Sequence, residues 1–341
     1  MGAPKAQNAG PGRVCLGTWP TPVEGAPRLA VRLGLNPESL WIKRDDLTGL
    51  GAGGNKVRKL EYLCAAAVER GATILVTSGG AQSNHARLTA ASACRLGMAC
   101  LVVLAGEPPT VPNGNIALEG LMGAQVVWAG EVDDDELDGQ VEEVARDLTR
   151  RGQRVEVIPL GGSNALGARG YIDCGKELEA QVPDLRHAVV AVGSGGTMAG
   201  LVSALGPERV LGINVGATAN APERVRAILD ALSAEGAVPP AYANAPLRLR
   251  EDQVGTGYGV LTPEARRALI DAAQYEGILL DPVYTAKALS GLAAAVRDGS
   301  IKRDERTVFL HTGGLPGLFG HDFMRDPQCA PRDARPTPGR R

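Results

Sequence analysis

Gly53-Gly54-Asn55-Lys56-Val57-Arg58-Lys59-Leu60-Glu61 is the stretch on which the reading of this chain turns. A lysine follows two glycines where apolar residues begin to recur at helical spacing. Glycines let backbone and ligand approach closely. A helix start offers free N–H groups and the positive end of the dipole, so an anion settles there. An ordinary lysine keeps its proton up to about 10.4 and turns nucleophilic near neutrality only if burial or cationic neighbours pull that value down. Arg58 and Lys59 are such neighbours in sequence. The pattern suits an amine that holds an aldehyde cofactor as a Schiff base. A surface lysine after a turn is the competing reading, and the motif alone does not choose.

The surrounding sequence sets a frame for that lysine. In 56–70, Val57, Leu60, Cys64, Ala67 and Val68 fall on one helical face, and Gly71 supplies a stop. Thr73-Ile74-Leu75-Val76-Thr77 then reads as a buried strand. The same alternation continues, with strands expected at 41–44, 73–77, 99–104, 125–129, 154–159, 188–193, 210–215, 278–280 and 307–311. Helices are expected at 56–70, 84–96, 114–122, 133–151, 170–181, 196–205, 222–234, 262–276 and 284–298. Such alternation predicts an α/β protein with two open, twisted, mostly parallel sheets flanked by helices. The glycine-rich loop 161–170 is the expected crossing between domains. The division expected is a large domain from 1–59 and 165–325 and a small one from 60–164. Residues 1–14 and 325–341 read as frayed tails, the flexible tail proper being 326–341.

Composition narrows the function. A formal charge of −2 gives no basic excess, so neither nucleic acid nor an acidic membrane surface is expected as partner. The six cysteines form no CxxC pair, which argues against zinc ribbons and thioredoxin chemistry. No metal site is expected. No leader pattern and no apolar run of about 18 residues is visible, so the expectation is a soluble protein of a reducing cytoplasm.

Five further motifs carry possible chemistry. Ser83-Asn84-His85 follows a strand and opens a helix. Ser83 and Asn84 serve either as caps or as a hydroxyl and an amide presented to a planar ligand, and His85 reads more readily as structural than as a base. Gly193-Ser194-Gly195-Gly196-Thr197 joins a strand to a helix, and its successive N–H groups suit one phosphate. No Gly-Lys-Ser/Thr follows, and the dinucleotide pattern fails at Met198. Tyr258, among glycines, and Tyr284, in Asp281-Pro282-Val283-Tyr284-Thr285, each offer a phenol able to donate a hydrogen bond or relay a proton. In His311-Thr312-Gly313-Gly314, Thr312 either meets a ring nitrogen or caps a helix.

In order and spacing, these motifs resemble the pyridoxal-phosphate enzymes of the tryptophan-synthase-β fold. The nearest branch holds 1-aminocyclopropane-1-carboxylate deaminase and D-cysteine desulfhydrase, and the resemblance covers 41–319. It implies that Lys56 carries pyridoxal 5'-phosphate, that Asn84 contacts the ring hydroxyl and that Gly193, Ser194, Gly195, Gly196 and Thr197 hold the phosphate. It implies that Ser83 meets the substrate carboxylate, with Tyr258 and Tyr284 beside the substrate. Ring-opening deaminases of the branch carry Glu after the second tyrosine and Leu before the late Gly-Gly. This chain has Thr285 and Thr312 there, and His85 in place of Gln, as desulfhydrases do. A neutral threonine leaves the pyridine ring a milder electron sink, which suits expulsion of thiolate. The expectation is a carbon–sulfur lyase acting on a small amino acid, D-cysteine first, and working as a homodimer. The alternatives are 1-aminocyclopropane-1-carboxylate deaminase, L-cysteate sulfo-lyase and a silent cofactor-binding protein. Residues 217–250 and Leu315-Pro316-Gly317 depart from the family pattern and leave substrate identity open.

Overall fold

Apolar, β-branched runs become the strands of two sheets in the computed structural model, which describes residues 12–326 and residue 329. In chain order the strands are β1 (Val23–Gly25), β2 (Leu40–Arg44), β3 (Ile74–Gly80), β4 (Ala99–Ala105), β5 (Gln125–Gly130), β6 (Val155–Val157), β7 (His187–Val192), β8 (Val210–Asn214), β9 (Arg248–Arg250) and β10 (Thr307–His311). The helices are α1 (Pro27–Leu33), α2 (Lys56–Glu69), α3 (Asn84–Leu96), α4 (Gly114–Leu121), α5 (Asp134–Arg150), α6 (Ala165–Gln181), α7 (Gly196–Leu205), α8 (Ala221–Ala234), α9 (Pro240–Asn244), α10 (Pro263–Glu276), α11 (Thr285–Arg297) and α12 (Leu315–Phe319). One sheet runs β1-β2-β10-β7-β8-β9, with only β1 antiparallel; the other runs β5-β4-β3-β6, all parallel. This is the expected α/β architecture.

Side chains alternate across each strand and so feed two cores per sheet. Ile42, Val189, Ile213 and Phe309 meet α1, α10 and α11, while Val190, Val192, Val308 and Leu310 meet α6, α7 and α8. In the smaller sheet, Leu75, Val102 and Leu104 meet α2 and α3; Ile74, Val76, Leu101 and Val103 meet Leu137 and Val141 of α5. Burial on both faces explains why these strands read as unbroken apolar runs. Ser83, Asp133, Asn164 and Thr262 cap the helices that follow them. Among the described residues, no helix is long and apolar enough to cross a membrane.

The structure corrects several boundaries. Residues 278–280 pair with no strand among the described residues: they form the link between α10 and α11, with Ile278 and Leu280 buried and Leu279 exposed. The strands β1 and β9 went unexpected because each has three residues and sits at a sheet edge. The helices α1, α9 and α12 were too short to show a period. The loop at 161–170 ends early. Asn164 accepts the Gly167 N–H at 2.8 Å and starts α6 there, placing Gly167 and Gly170 inside the helix. A Cβ at Gly170 would strike the Arg58 carbonyl, so this glycine reflects close packing of α6 on α2. Val14, expected in a frayed tail, is 2% exposed and bonds the Glu61 carbonyl through its N–H at 3.1 Å. At the other end Arg325 closes a short helical turn and Asp326 pairs with Arg266 at 2.7 Å. The tails expected at 1–11 and, residue 329 apart, from 327 onward lie outside the described residues.

Candidate active site

The carboxyl ends of β3, β7, β8 and β10 open onto one cavity of about 380 Å³, the position where open parallel sheets gather their ligands. Lys56, the first residue of α2, lies on its wall. The preceding loop turns through Gly53 at φ +71° and Gly54 at φ +129°, and a Cβ on Gly53 would collide with the Asp46 carbonyl. Arg87, fully buried, donates to the carbonyls of Gly51 and Gly53, and Asn55 N–H bonds the Thr312 carbonyl at 2.9 Å. The lysine thus leaves a loop fixed on both sides. Burial pulls its ammonium down to about 8.

The lysine beside it is Lys59. That side chain is fully buried and donates to Gly161 O at 3.1 Å and Ser163 Oγ at 2.8 Å. Burial, with the charge of Lys56 beside it, holds Lys59 well below the ordinary lysine value. Arg58 plays no such part. It turns away from Lys56 to bind Asp45 at 2.8 Å and Glu177 at 2.8 Å, under the Trp19 ring.

A second wall comes from Gly79, Gly80, Ser83, Asn84 and His85. Ser83 Oγ accepts the Ala86 N–H at 3.1 Å, which leaves the hydroxyl hydrogen free to donate. The Asn84 amide has a determined orientation. A guanidinium only donates, so Arg87 Nε at 2.7 Å makes its partner on Asn115 the oxygen. The Asn115 amide nitrogen then donates to Asn84 Oδ1 at 3.0 Å and to Gln82 O at 2.9 Å. Asn84 Nδ2 is left as a donor toward the cavity that Asn84 lines. His85 is a neutral structural group: Thr77 donates its hydroxyl to Ile158 O at 2.9 Å, so His85 Nε2 donates to Thr77 at 2.9 Å. Burial and the two lysines hold the imidazole well below its ordinary value.

A third wall is the turn from β7 into α7. Gly193, Ser194, Gly195 and Thr197 line the cavity, and Gly196 sits just behind them as the first residue of the helix. Ser194 Oγ bonds Ser163 Oγ at 2.7 Å, and Thr197 Oγ1 accepts from Asn55 at 3.2 Å. A Cβ at Gly196 would lie 2.8 Å from Ser163 Oγ and 3.0 Å from Lys59 Nζ. The start of α7 is therefore glycine-lined and faces the buried Lys59 amine.

The fourth wall joins Tyr258 to Tyr284, whose hydroxyls lie 2.6 Å apart. Burial keeps Tyr284 protonated well past its ordinary value, while Tyr258 is 46% exposed. Asp281, also on the wall, accepts the N–H groups of Val283, Tyr284 and Thr285 at 2.8–3.0 Å. Thr285 does not line the cavity: it is fully buried and donates its hydroxyl to Asp281 at 2.6 Å. Of the two threonines, only Thr312 reaches the wall.

Of the two neighbours expected for Lys56 the structure keeps Lys59 and removes Arg58. The spacing of Lys59 from Lys56 was the available signal, since residues three apart share a helix face. Sequence reasoning missed Ser163, Asp281 and the acidic rim of Glu131 and Asp134. Nothing local marked Ser163 or the rim.

Known proteins resemble this chain along most of its length. The family model described as pyridoxal-phosphate dependent enzyme matches residues 14–313. A protein named D-cysteine desulfhydrase from Klebsiella pneumoniae is 40% identical over 319 residues, spanning 89% of this chain and 94% of that one. A protein of the same name from Salmonella schwarzengrund is 40% identical over 317 residues, with the same coverage. A crystal structure titled as an ACC deaminase homologue superposes with a TM-score of 0.82 at 36% identity, covering 90% of this chain and 93% of that one. Threonine deaminase isoform 2 from Solanum lycopersicum shares the fold, with a TM-score of 0.62 at 21% identity over 86% of this chain and 79% of that one. With Lys56 at the start of α2 and a glycine-lined helix terminus facing it across the cavity, the chain belongs to the pyridoxal-phosphate dependent enzyme family.

Proposed function

We propose that this protein is a lyase that removes the β-substituent of a small amino acid, with D-cysteine as substrate and pyruvate, sulfide and ammonia as products. One observation carries the reading. A lysine amine at about 8 shares a cavity with the open start of α7, the Ser83 hydroxyl and the Tyr258–Tyr284 pair. At pH 7.5 such an amine is neutral in roughly a quarter of molecules, against about one in a thousand for an ordinary lysine. The names of the relatives at 40% identity support the substrate.

The residues present fit pyridoxal phosphate. The cradle at Gly195 and Gly196 has no room for a Cβ, which would meet Val225 N at 3.1 Å or the Ser163–Lys59 pair. Lys56 would hold the aldehyde. The start of α7, with Gly193, Ser194, Thr197 and the Lys59 ammonium, would hold the phosphate. Asn84 Nδ2 would meet the ring hydroxyl and Thr312 the ring nitrogen, with Thr285 supporting Asp281 from behind. When bound, the group draws negative charge from the substrate Cα into its ring.

The chain's own groups do the rest. Ser83 donates its free hydrogen to the substrate carboxylate. Lys56 Nζ, as a neutral amine on the cavity wall, would remove the Cα proton. The electron pair left behind forms the Cα–Cβ double bond as the Cβ–S bond breaks. Within the tyrosine pair one hydroxyl hydrogen bridges the two oxygens. The other is available to protonate the departing sulfur. The released enamine takes up water to give pyruvate and ammonia.

The six cysteines carry no disulfide, which supports a reducing compartment, and we place the protein in the cytoplasm as a homodimer. We also propose the division into 1–59 with 165–325 against 60–164; Lys56 would then stand at the seam. The test is a product assay over D- and L-cysteine, cysteate, 3-chloroalanine and 1-aminocyclopropane-1-carboxylate, run on the wild type and Lys56→Ala. Pyruvate and sulfide from D-cysteine, absent in Lys56→Ala, support the proposal. Undiminished pyruvate release by Lys56→Ala ends it. Ammonia with 2-oxobutyrate from the cyclopropane amino acid, without sulfide from cysteine, moves the assignment to the deaminase.

A further inference from the structure

Tyr258 stands on a loop with little internal structure of its own. Residues 251–262 form no helix or strand, and Gly255, Gly257 and Gly259 all take positive φ, at +70°, +158° and +76°. Tyr258 itself is 46% exposed. Such a segment has few means of holding a phenol in place. Yet its hydroxyl meets that of Tyr284 at 2.6 Å.

The restraint comes from α11. Lys287 is fully buried and, among the described residues, lies near no carboxylate that would pair with it. Its ammonium donates to three backbone carbonyls: Val254 O at 2.8 Å, Gly257 O at 3.1 Å and Val215 O at 3.3 Å. An ammonium has three hydrogens and no acceptor, so three carbonyls match it. Two of them flank the turn that leads directly into Tyr258, and the third directly follows β8. One turn further along α11, Ser290 Oγ bonds Gln253 Oε1 at 2.6 Å and fixes the loop's entry. His321 bonds Gly259 O at 3.1 Å on the far side. Tyr284 is the residue that precedes α11. The same helix therefore sets both tyrosines, one through its N-terminus and one through Lys287.

We propose that Lys287 is a positioning residue that clamps the 254–257 turn onto α11 and so registers the Tyr258 hydroxyl against Tyr284. The proposal rests on the reading in which this pair protonates the leaving group. A buried lysine beside carbonyls also has a plain packing role, and the experiment separates the two.

Lys287→Met and Lys287→Arg are made in the wild-type and Tyr258→Phe backgrounds. Chymotryptic cleavage after residue 258 is followed on the protein without added cofactor. Lys287→Met should speed that cleavage by about tenfold or more, the loss that goes with one hydrogen bond to a charged donor. Lys287→Arg, which still donates to carbonyls, should recover much of the protection and of kcat. In turnover, Lys287→Met should lower kcat more than it raises KM, and in the Tyr258→Phe background it should cost less than about twofold further. Unchanged cleavage overturns the clamp. So does an undiminished effect on kcat in the Tyr258→Phe background, which is what a packing role alone predicts. If Tyr258→Phe turns over normally while Lys287→Met still frees the loop, the role given to Tyr258 fails and the clamp stands.

Discussion

Replacing Glu119 by glutamine should stabilise the protein, and increasingly so as the pH rises. Glu119 lies on α4, fully buried, and neither of its carboxyl oxygens has a hydrogen-bond partner among the described residues. Burial pushes the carboxyl from 4.5 up to about 8, against the attraction of Arg87. The sign follows from linkage. A carboxyl held higher in the native state than in the unfolded chain favours folding while both are protonated, below 4.5. That advantage is lost as the pH climbs through 8. Between pH 5 and pH 9 the loss approaches about 4 kcal/mol, at about 1.4 kcal/mol per pH unit. Glutamine copies the protonated carboxyl and carries no such loss. Urea unfolding of both proteins at pH 5, 7 and 9 gives the comparison. The gap should be near zero at pH 5 and exceed about 2 kcal/mol at pH 9, even if water reaches the ionised group and softens the penalty. A gap that stays constant with pH would refute the reasoning, because it would mean that Glu119 titrates alike in both states. The site has a stake in the outcome, since Arg87, which opposes this charge, also holds the loop before Lys56.

Three further outcomes are expected. Capture of added pyridoxal phosphate by cofactor-free protein should accelerate with pH and level off near 8, where Lys56 becomes the neutral nucleophile; a rate still rising steeply at pH 9.5 would show an ordinary lysine. Asp281→Ala strips the acceptor from three N–H groups at the start of α11 and should cost about 2–4 kcal/mol in urea unfolding, with Tyr284 displaced. An unchanged midpoint would show that water replaces the carboxylate. Gly53→Ala drives a Cβ into the Asp46 carbonyl at a φ of +71°. It should weaken cofactor binding at least tenfold in an absorbance titration while the far-ultraviolet dichroism of the sheets persists.

The sheets and the long helices were legible because burial on both faces writes itself into sequence as apolar runs, and amphipathic packing writes itself as a 3.6 period. The strand β7 and helix α7 fall within a residue of their expected ends. What escaped was settled by neighbours distant in sequence. β9 holds its edge place beside β8 with two arginines in three residues, a composition that carries no strand signal. Residues 278–280 carry the signal and no pairing, because the burial of Ile278 and Leu280 in a connector looks the same in sequence as burial in a strand. The site followed the same rule: the glycine turn and the Ser83–Asn84 pair are local motifs, whereas Ser163 joins the glycine turn from a loop with no motif.

The two misassigned neighbours of Lys56 and Asp281 show that part of the remainder was written in sequence but measured on the wrong scale. Arg58 stands two places from Lys56 and Lys59 three. Distance along the chain favours Arg58, but a helix advances about 100° per residue, so Arg58 points about 200° away while Lys59 returns to within about 60°. The ion pairs of Arg58 with Asp45 and Glu177 and the contact of Lys59 with the α7 start are the two faces of that one rotation. Thr285 follows the same geometry from the other end. A threonine at the first position of α11, four residues after an aspartate, is placed to return its hydroxyl to that aspartate, and it does so at 2.6 Å. Its effect on a bound ring would therefore pass through Asp281, whose carboxylate already accepts three backbone N–H groups. Thr312, which follows β10, is left as the neutral hydroxyl on the wall. The mild-sink argument for expelling thiolate thus narrows from two threonines to one.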